Sequence, residues 1–262
     1  MRQAEQVMID FSDNVARLEP SPTLAITARA RELQAAGRSV MNLSAGEPSF
    51  PTPAVAAAGA AASVEAGKTG YPPTPGIPEL RSAIARCTAE TTAAGAVSPG
   101  DVIVSAGVKQ ALFNLCYVLF GDGDEVLLPA PYWPTYTAIV QLAGARPVDV
   151  RLDWSDGFRL DVESLEAHRT GRTRGLMINS PSNPSGAVAS AEELAAVLEW
   201  ADEHGVWVLS DEIYRRLYYR PPFSAPSVLD VPDRGERVIA LDGVSKAFSM
   251  PGWRIGWAIG PR

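Results

Sequence analysis

The chain has 262 residues, 46% of them hydrophobic and 20% charged, with a formal net charge of −7. That length can bury a sizeable core in one large α/β domain or two small ones, and the composition is that of an ordinary soluble globular protein. An acidic chain with no long basic run is not built to track nucleic acid, and no stretch approaches a membrane span. The two cysteines, Cys87 and Cys116, each fall in a helix-like apolar pattern and read as small buried hydrophobes. Neither a disulfide framework nor a metal-ligand spacing can be built from them. Residues 1–15 lack the apolar segment of a signal peptide, so a cytoplasmic location is expected.

In chain order, residues 23–36 carry an amphipathic helix pattern that Gly37 closes. A strand-like run at 41–44 leads into Ala45-Gly46-Glu47-Pro48, where proline and glycine forbid regular structure. An alanine-rich helix over 53–65 is followed by a second Pro/Gly-rich loop, 70–76, which presents Tyr71. The next helix, 78–92, has proline suitably placed in its first turn. From Asp101 onward, β-branched runs recur at 102–105, 126–128, 147–152, 175–179, 206–210 and 238–241. Helical patterns at 109–120, 135–143 and 191–204 lie between them. This alternation predicts an α/β fold, a mostly parallel sheet with helices on both faces. A seventh run, 254–259, follows a Pro-Gly loop too short for a crossover helix and is expected antiparallel to its neighbour.

Several motifs are excluded. Ala66-Gly67-Lys68-Thr69 ends like a phosphate-binding loop, yet Ala62 stands where the first glycine belongs, after a helix instead of a strand. No Gly-x-Gly-x-x-Gly fingerprint is present. The two histidines, His168 and His204, sit in polar helix-end contexts and read as solvated. A histidine triad or a metal site cannot be assembled from so few ligands.

Ligands of open α/β sheets sit beyond the carboxyl ends of the strands, so those ends define the search. After the first strand, Gly107-Val108-Lys109 turns into a helix N-terminus, whose N–H groups and dipole suit a phosphate. After the second, Trp133 offers a flat indole for stacking. Asn183 follows the fourth run, Asp211 and Tyr214 the fifth, and Ser245-Lys246 the sixth, with Arg254 eight positions on. Taken singly, Asp211 also reads as a helix N-cap, Asn183-Pro184 as a turn and Trp133 as a core residue. Together at successive strand ends they form a set suited to pyridoxal phosphate. Asp211 can hold a pyridine nitrogen protonated, and Asn183 and Tyr214 can donate to the phenolate oxygen. Lys246 can carry the cofactor and move the proton, while Arg254, Ser245 and the turn at Gly107 hold the phosphate.

These stretches resemble the class I aminotransferases of fold type I, close to the bacterial aspartate aminotransferase branch. The matching segments are Ser44-Ala45-Gly46-Glu47-Pro48, Tyr71 with 75–81, 104–114, 123–133, 179–186, 210–214 and 244–257, in family order. The resemblance implies that Lys246 is the Schiff-base lysine, Asp211 the pyridine partner, and Tyr214 and Asn183 the phenolate-oxygen donors. It implies that Trp133 stacks on the ring, and that Gly46, Trp133 and Asn183 lie beside the substrate. Tyr71 would reach the phosphate of a neighbouring subunit, which implies a homodimer. Residues 1–45 would be an N-terminal arm and helix belonging to the small domain, and 46–262 an incomplete cofactor-binding large domain. Family members continue past Gly260-Pro261-Arg262, so the small C-terminal domain is expected to be missing, along with the arginine that binds the substrate α-carboxylate. The implied reaction moves an amino group between an amino acid, aspartate foremost, and a 2-oxo acid. A fold type I lyase and a non-catalytic cofactor-binding fragment are the alternatives.

Overall fold

In the computed structural model, which describes residues 22–44, 46–93 and 97–261 together with Ser12, Val15 and Leu18, the β-branched runs pair into one sheet. Its strands are β1 (Val102–Ser105), β2 (Glu125–Ala130), β3 (Arg146–Arg151), β4 (Thr173–Asn179), β5 (Trp207–Asp211), β6 (Val238–Gly243) and β7 (Gly256–Ile259). The seven strands take the order β1-β7-β6-β5-β4-β2-β3. Strands β2 to β6 run parallel, and β7 is antiparallel to both β6 and β1. The expected antiparallel strand is therefore present, and it has two antiparallel neighbours. A parallel return from β6 would need a crossover spanning the sheet, and the connection from 244 to 255 is too short for one.

The helices are α1 (Pro22–Ala35), α2 (Ala54–Glu65), α3 (Pro78–Thr91), α4 (Val108–Leu119), α5 (Thr135–Leu142), α6 (Val162–His168), α7 (Ala191–Glu203) and α8 (Val244–Ala247). Strand side chains alternate between faces with a period of two, so each inner strand feeds two cores. Leu127, Leu176, Ile178, Val208 and Ala240 pack with Ile84 of α3, Leu165 of α6 and Leu194 and Leu198 of α7. Their neighbours Val126, Leu128, Met177, Leu209 and Leu241 pack with Leu112 and Cys116 of α4 and Ile139 and Val140 of α5. Both faces are covered, which is why these strands read as continuous apolar runs. Each fully buried leucine among them contributes about 2 kcal/mol.

Three expectations need correction. Residues 41–43 form no strand, because no neighbouring strand pairs with them. Helix α6 was not anticipated: at seven residues it is too short to show a helical period, and its start is set by Asp161, whose side chain accepts from Ser164 N at 2.7 Å. Cys116 is buried as expected, whereas Cys87 is half-buried and its Sγ accepts from Arg216 Nη2 at 3.0 Å. The histidines lie at helix ends as expected, His204 exposed with Nε2 3.5 Å from Glu166 and His168 half-buried with Nδ1 2.8 Å from Ser164 O. Residues 1–11 and Ala45 of the expected N-terminal arm lie outside the described residues. Helix α1 itself falls one residue earlier than its sequence pattern, with Gly37 at φ 80° closing it.

Candidate functional site

The parallel strands bring their carboxyl ends to one edge, where the sequence-derived residues gather. Asp211 is the last residue of β5 and is only 3% exposed. Tyr136 Oη of α5 donates to its Oδ2 at 2.7 Å, and Ile213 N donates to its Oδ1 at 3.2 Å. Among the described residues no cation pairs with it, and burial pushes its carboxyl up to about 6. Asn179, which ends β4, donates from Nδ2 to Asp211 O at 2.8 Å, and its Oδ1 accepts from Asn183 N at 2.7 Å. One amide thus ties the Asn183 loop to the Asp211 strand.

Tyr214 follows in the turn after β5. Burial and the Asp211 charge hold its phenol above the ordinary value, and a hydrogen bond from the Asn183 side chain pulls the other way. Lys246 sits on α8, a short helix where a loop was expected, with Nζ 5.8 Å from the centre of the Tyr214 ring. That Nζ donates to Gly46 O at 3.1 Å, bringing the first Pro/Gly loop onto the sheet edge. Burial holds the Lys246 ammonium below its ordinary value, opposed by the nearby Glu47 charge.

A second cluster lies at the N-terminus of α4. Gly107 has φ 89° and no room for a side chain, since a Cβ there would lie 2.2 Å from Arg254 Nη2. Arg254, held at φ 56°, donates to Pro251 O at 2.5 Å and Ala106 O at 3.3 Å. Lys109 Nζ lies 4.7 Å from the centre of the Trp133 ring, and its ammonium is lowered by burial and then by Arg254. Two cations beside the first N–H groups of a helix make a site for an anion. Trp133 meets Tyr136 edge-on at 5.5 Å, so the indole bridges the two clusters. Ser245 lies half-buried beside Lys246, while Tyr71 stands apart, fully exposed.

The sequence model for aminotransferase class I and II matches residues 38–262. The chain belongs to that family. An aspartate/prephenate aminotransferase of Cereibacter sphaeroides is 44% identical over 256 residues, 97% of this chain and 64% of its own length. An aspartate aminotransferase of Streptomyces avermitilis is 43% identical, covering 96% of this chain and 62% of its own length. The solved aspartate aminotransferase of Thermus thermophilus with maleate superposes with a TM-score of 0.91 at 41% identity. That match covers 97% of this chain and 65% of the Thermus chain. The chain therefore spans less than two thirds of the length of these relatives.

Pyridoxal 5'-phosphate is the cofactor of class I and II aminotransferases, and this aminotransferase chain fits it at both ends. Two buried carboxylates, Asp211 and Glu212, and the half-buried Asp242 lie around the end of β5. Arg215 faces Glu212 and, with Arg216, Asp242, which leaves Asp211 with donors but no cation. A protonated pyridine nitrogen would supply that charge. At the other end, Arg254, Lys109 and the Gly107 turn are cations and donors with no carboxylate paired to them among the described residues. Gly256 of β7 makes the close approach possible, because a Cβ there would meet Val108 N at 2.4 Å and Gly107 C at 2.6 Å. Gly256→Ala is expected to push the α4 N-terminus outward and cost about 2 kcal/mol, read as a lower Tm together with weaker phosphate binding.

Sequence reasoning missed Tyr136 and gave Asn179 no role. A tyrosine in an apolar helix looks like core, and the one available signal was that a buried phenol needs a partner. Tyr136→Phe removes a donor to a buried carboxylate, so the Asp211 carboxyl moves further up. Cofactor affinity at pH 7 is expected to fall roughly tenfold and to recover as pH is raised, measured by cofactor titration.

Proposed function

We propose that the protein of which this chain is part is an aminotransferase that moves an amino group between an amino acid and a 2-oxo acid. The carrying observation is the half-buried Lys246 amine held against Gly46 O and the Tyr214 ring, with the uncompensated Asp211 carboxylate three residues before Tyr214 in the same turn. Aspartate is the leading donor, as the names of the relatives suggest. When bound, pyridoxal phosphate supplies a carbonyl carbon and an electron-withdrawing ring.

The chain's own residues do the rest. Lys246 Nζ would be the tethering amine and, once released, would take a proton from the substrate α-carbon and deliver it to the cofactor's carbonyl carbon; its lowered ammonium pKa keeps a larger neutral fraction for both tasks. Asp211 holds the ring nitrogen protonated, and Tyr136 fixes the carboxylate's orientation. Tyr214 and Asn183 donate to the ring hydroxyl oxygen. Trp133 covers one ring face, and Gly46, Trp133 and Asn183 border the substrate. Arg254, Ser245 and the N–H groups at Gly107, Val108 and Lys109 hold the phosphate in place.

Residues 46–262 form the cofactor-binding unit in this reading, with 1–45 as the arm. A homodimer is part of the same proposal. Helix α2 buries none of its residues, and Tyr71 and the stacked Phe113 and Tyr117 of α4 (6.1 Å) face outward, as an interface with a second copy would require. A cytoplasmic location fits two free cysteines and the lack, among the described residues, of a helix long and apolar enough to cross a membrane. The test is incubation with pyridoxal phosphate, aspartate and 2-oxoglutarate. Glutamate and oxaloacetate in equal amounts support transfer; release of ammonia and pyruvate from an amino acid that carries a β-leaving group, such as serine, with no 2-oxo acid added, would mark a lyase instead.

A further inference from the structure

Directly after Asp211 the chain buries a second carboxylate that the proposed chemistry does not use. Glu212 accepts from Ser210 Oγ at 3.1 Å, Ser227 Oγ at 2.7 Å and Val228 N at 2.9 Å. Facing it is Arg215, equally buried, with Nε 3.8 Å from Glu212 Oε2. The rest of the guanidinium fork reaches two other segments. It donates to Thr91 O at 2.9 Å and Thr91 Oγ1 at 2.7 Å at the end of α3, and to Ser224 Oγ at 2.9 Å. Arg215 O accepts from Ala225 N at 2.9 Å. A polar cavity of about 20 Å3, bounded by Thr88, Glu212, Arg215, Ser227 and Asp242, lies in the same layer. That is room for one water.

A buried ion pair is a poor source of stability, because desolvating both ions opposes their attraction. A planar fork that makes three hydrogen bonds while facing a carboxylate does impose a unique geometry. Here the geometry is that of the turn 211–214. We propose that Arg215 is a positioning residue for Asp211 and Tyr214. It pins their turn to α3 and to the 224–227 loop, and its charge answers Glu212, so that Asp211 alone remains for a cationic ring. What Asp211 and Tyr214 do there rests on the aminotransferase reading; that Arg215 positions them does not.

The other groups facing the turn are Tyr136 from α5, Asn179 from β4, Asp242 from β6 and the Lys246 ammonium. The Asn183 side chain also bonds Tyr214, and none of these joins the turn to α3; the neighbouring Arg216 does reach α3, at Cys87 Sγ 3.0 Å away, but from outside the turn.

The test follows Tyr214 in the cofactor-free chain by pH titration of 13C-labelled tyrosine rings, with Tyr214→Phe to assign its signal. Arg215→Met keeps the stem and removes both fork and charge. The phenol, now raised by burial, is expected to shift down toward its ordinary value as the turn opens to water. Leu165→Ala, a core truncation on α6, is expected to lower Tm and leave the Tyr214 titration where it was. An Arg215→Met chain with lowered Tm and an unmoved Tyr214 overturns the proposal. If that variant does not fold, Thr91→Val and Ser224→Ala each remove one side-chain acceptor and must move Tyr214 the same way; no movement in either overturns it. Because the readout needs no cofactor, a failed transamination assay leaves this result intact, and the reverse holds too.

Discussion

Lys246→Ala is expected to abolish the phosphopyridoxyl adduct that borohydride fixes on the parent chain after mixing with pyridoxal phosphate. The sequence holds three lysines, Lys68, Lys109 and Lys246, so a peptide mass map separates the candidates cleanly. Lys68 is exposed and follows the surface helix α2, and Lys109 lies in the anion cradle next to Arg254. Only Lys246 sits against the Gly46 loop and the Tyr214 ring, with its ammonium held low by burial. The variant keeps the phosphate cradle and the Asp211 carboxylate, so it should still take the cofactor reversibly while the reducible link falls to background. An undiminished adduct, or one on the Lys109 peptide of the parent chain, would show that the lysine is misassigned.

Asp211→Asn is expected to have opposite effects on stability and on cofactor binding. Without cofactor, Asp211 is a buried carboxyl whose folded value, about 6, lies above its ordinary 3.8. A group shifted in that direction contributes stability that is fully present below its unfolded value and is lost as pH rises through the folded one. Glu212, raised from 4.5 to about 7, and Asp242, raised from 3.8 to about 6, act in the same direction. The cofactor-free chain should therefore lose stability between about pH 4 and pH 7. Asparagine removes the share of Asp211, on the order of 3 kcal/mol at pH 7, and the variant should melt higher than the parent.

With cofactor the sign reverses. The ionised carboxylate is what pairs with a protonated ring nitrogen, so parent affinity should rise as pH increases through about 6. Asp211→Asn should bind about a hundredfold more weakly at pH 7, from the roughly 3 kcal/mol lost when one partner of a buried charge pair is removed. Its affinity should show no step near pH 6. A variant with parental affinity, or one that melts lower without cofactor, would sink the role given to Asp211.

Much of this was legible in the sequence because it is local. The β-branched runs, the antiparallel return at 254–259 and the Pro/Gly loops depend on residues adjacent in the chain. The convergence of Lys246, Asp211, Asn183, Trp133 and Gly107 follows from one rule about where parallel strands end. The tertiary structure alone decided the strand order β1-β7-β6-β5-β4-β2-β3, since many orders satisfy the same alternation and only the fit of side chains between layers selects one. It alone revealed that Tyr136, an ordinary core residue on paper, aims its hydroxyl at Asp211, which lies 75 positions away along the chain. Arg215 is the same lesson at greater distance, reaching back 124 positions to Thr91. Periodicity shows that a polar side chain will be buried; which partner satisfies it depends on how distant elements cross, and that is a property of the packed chain.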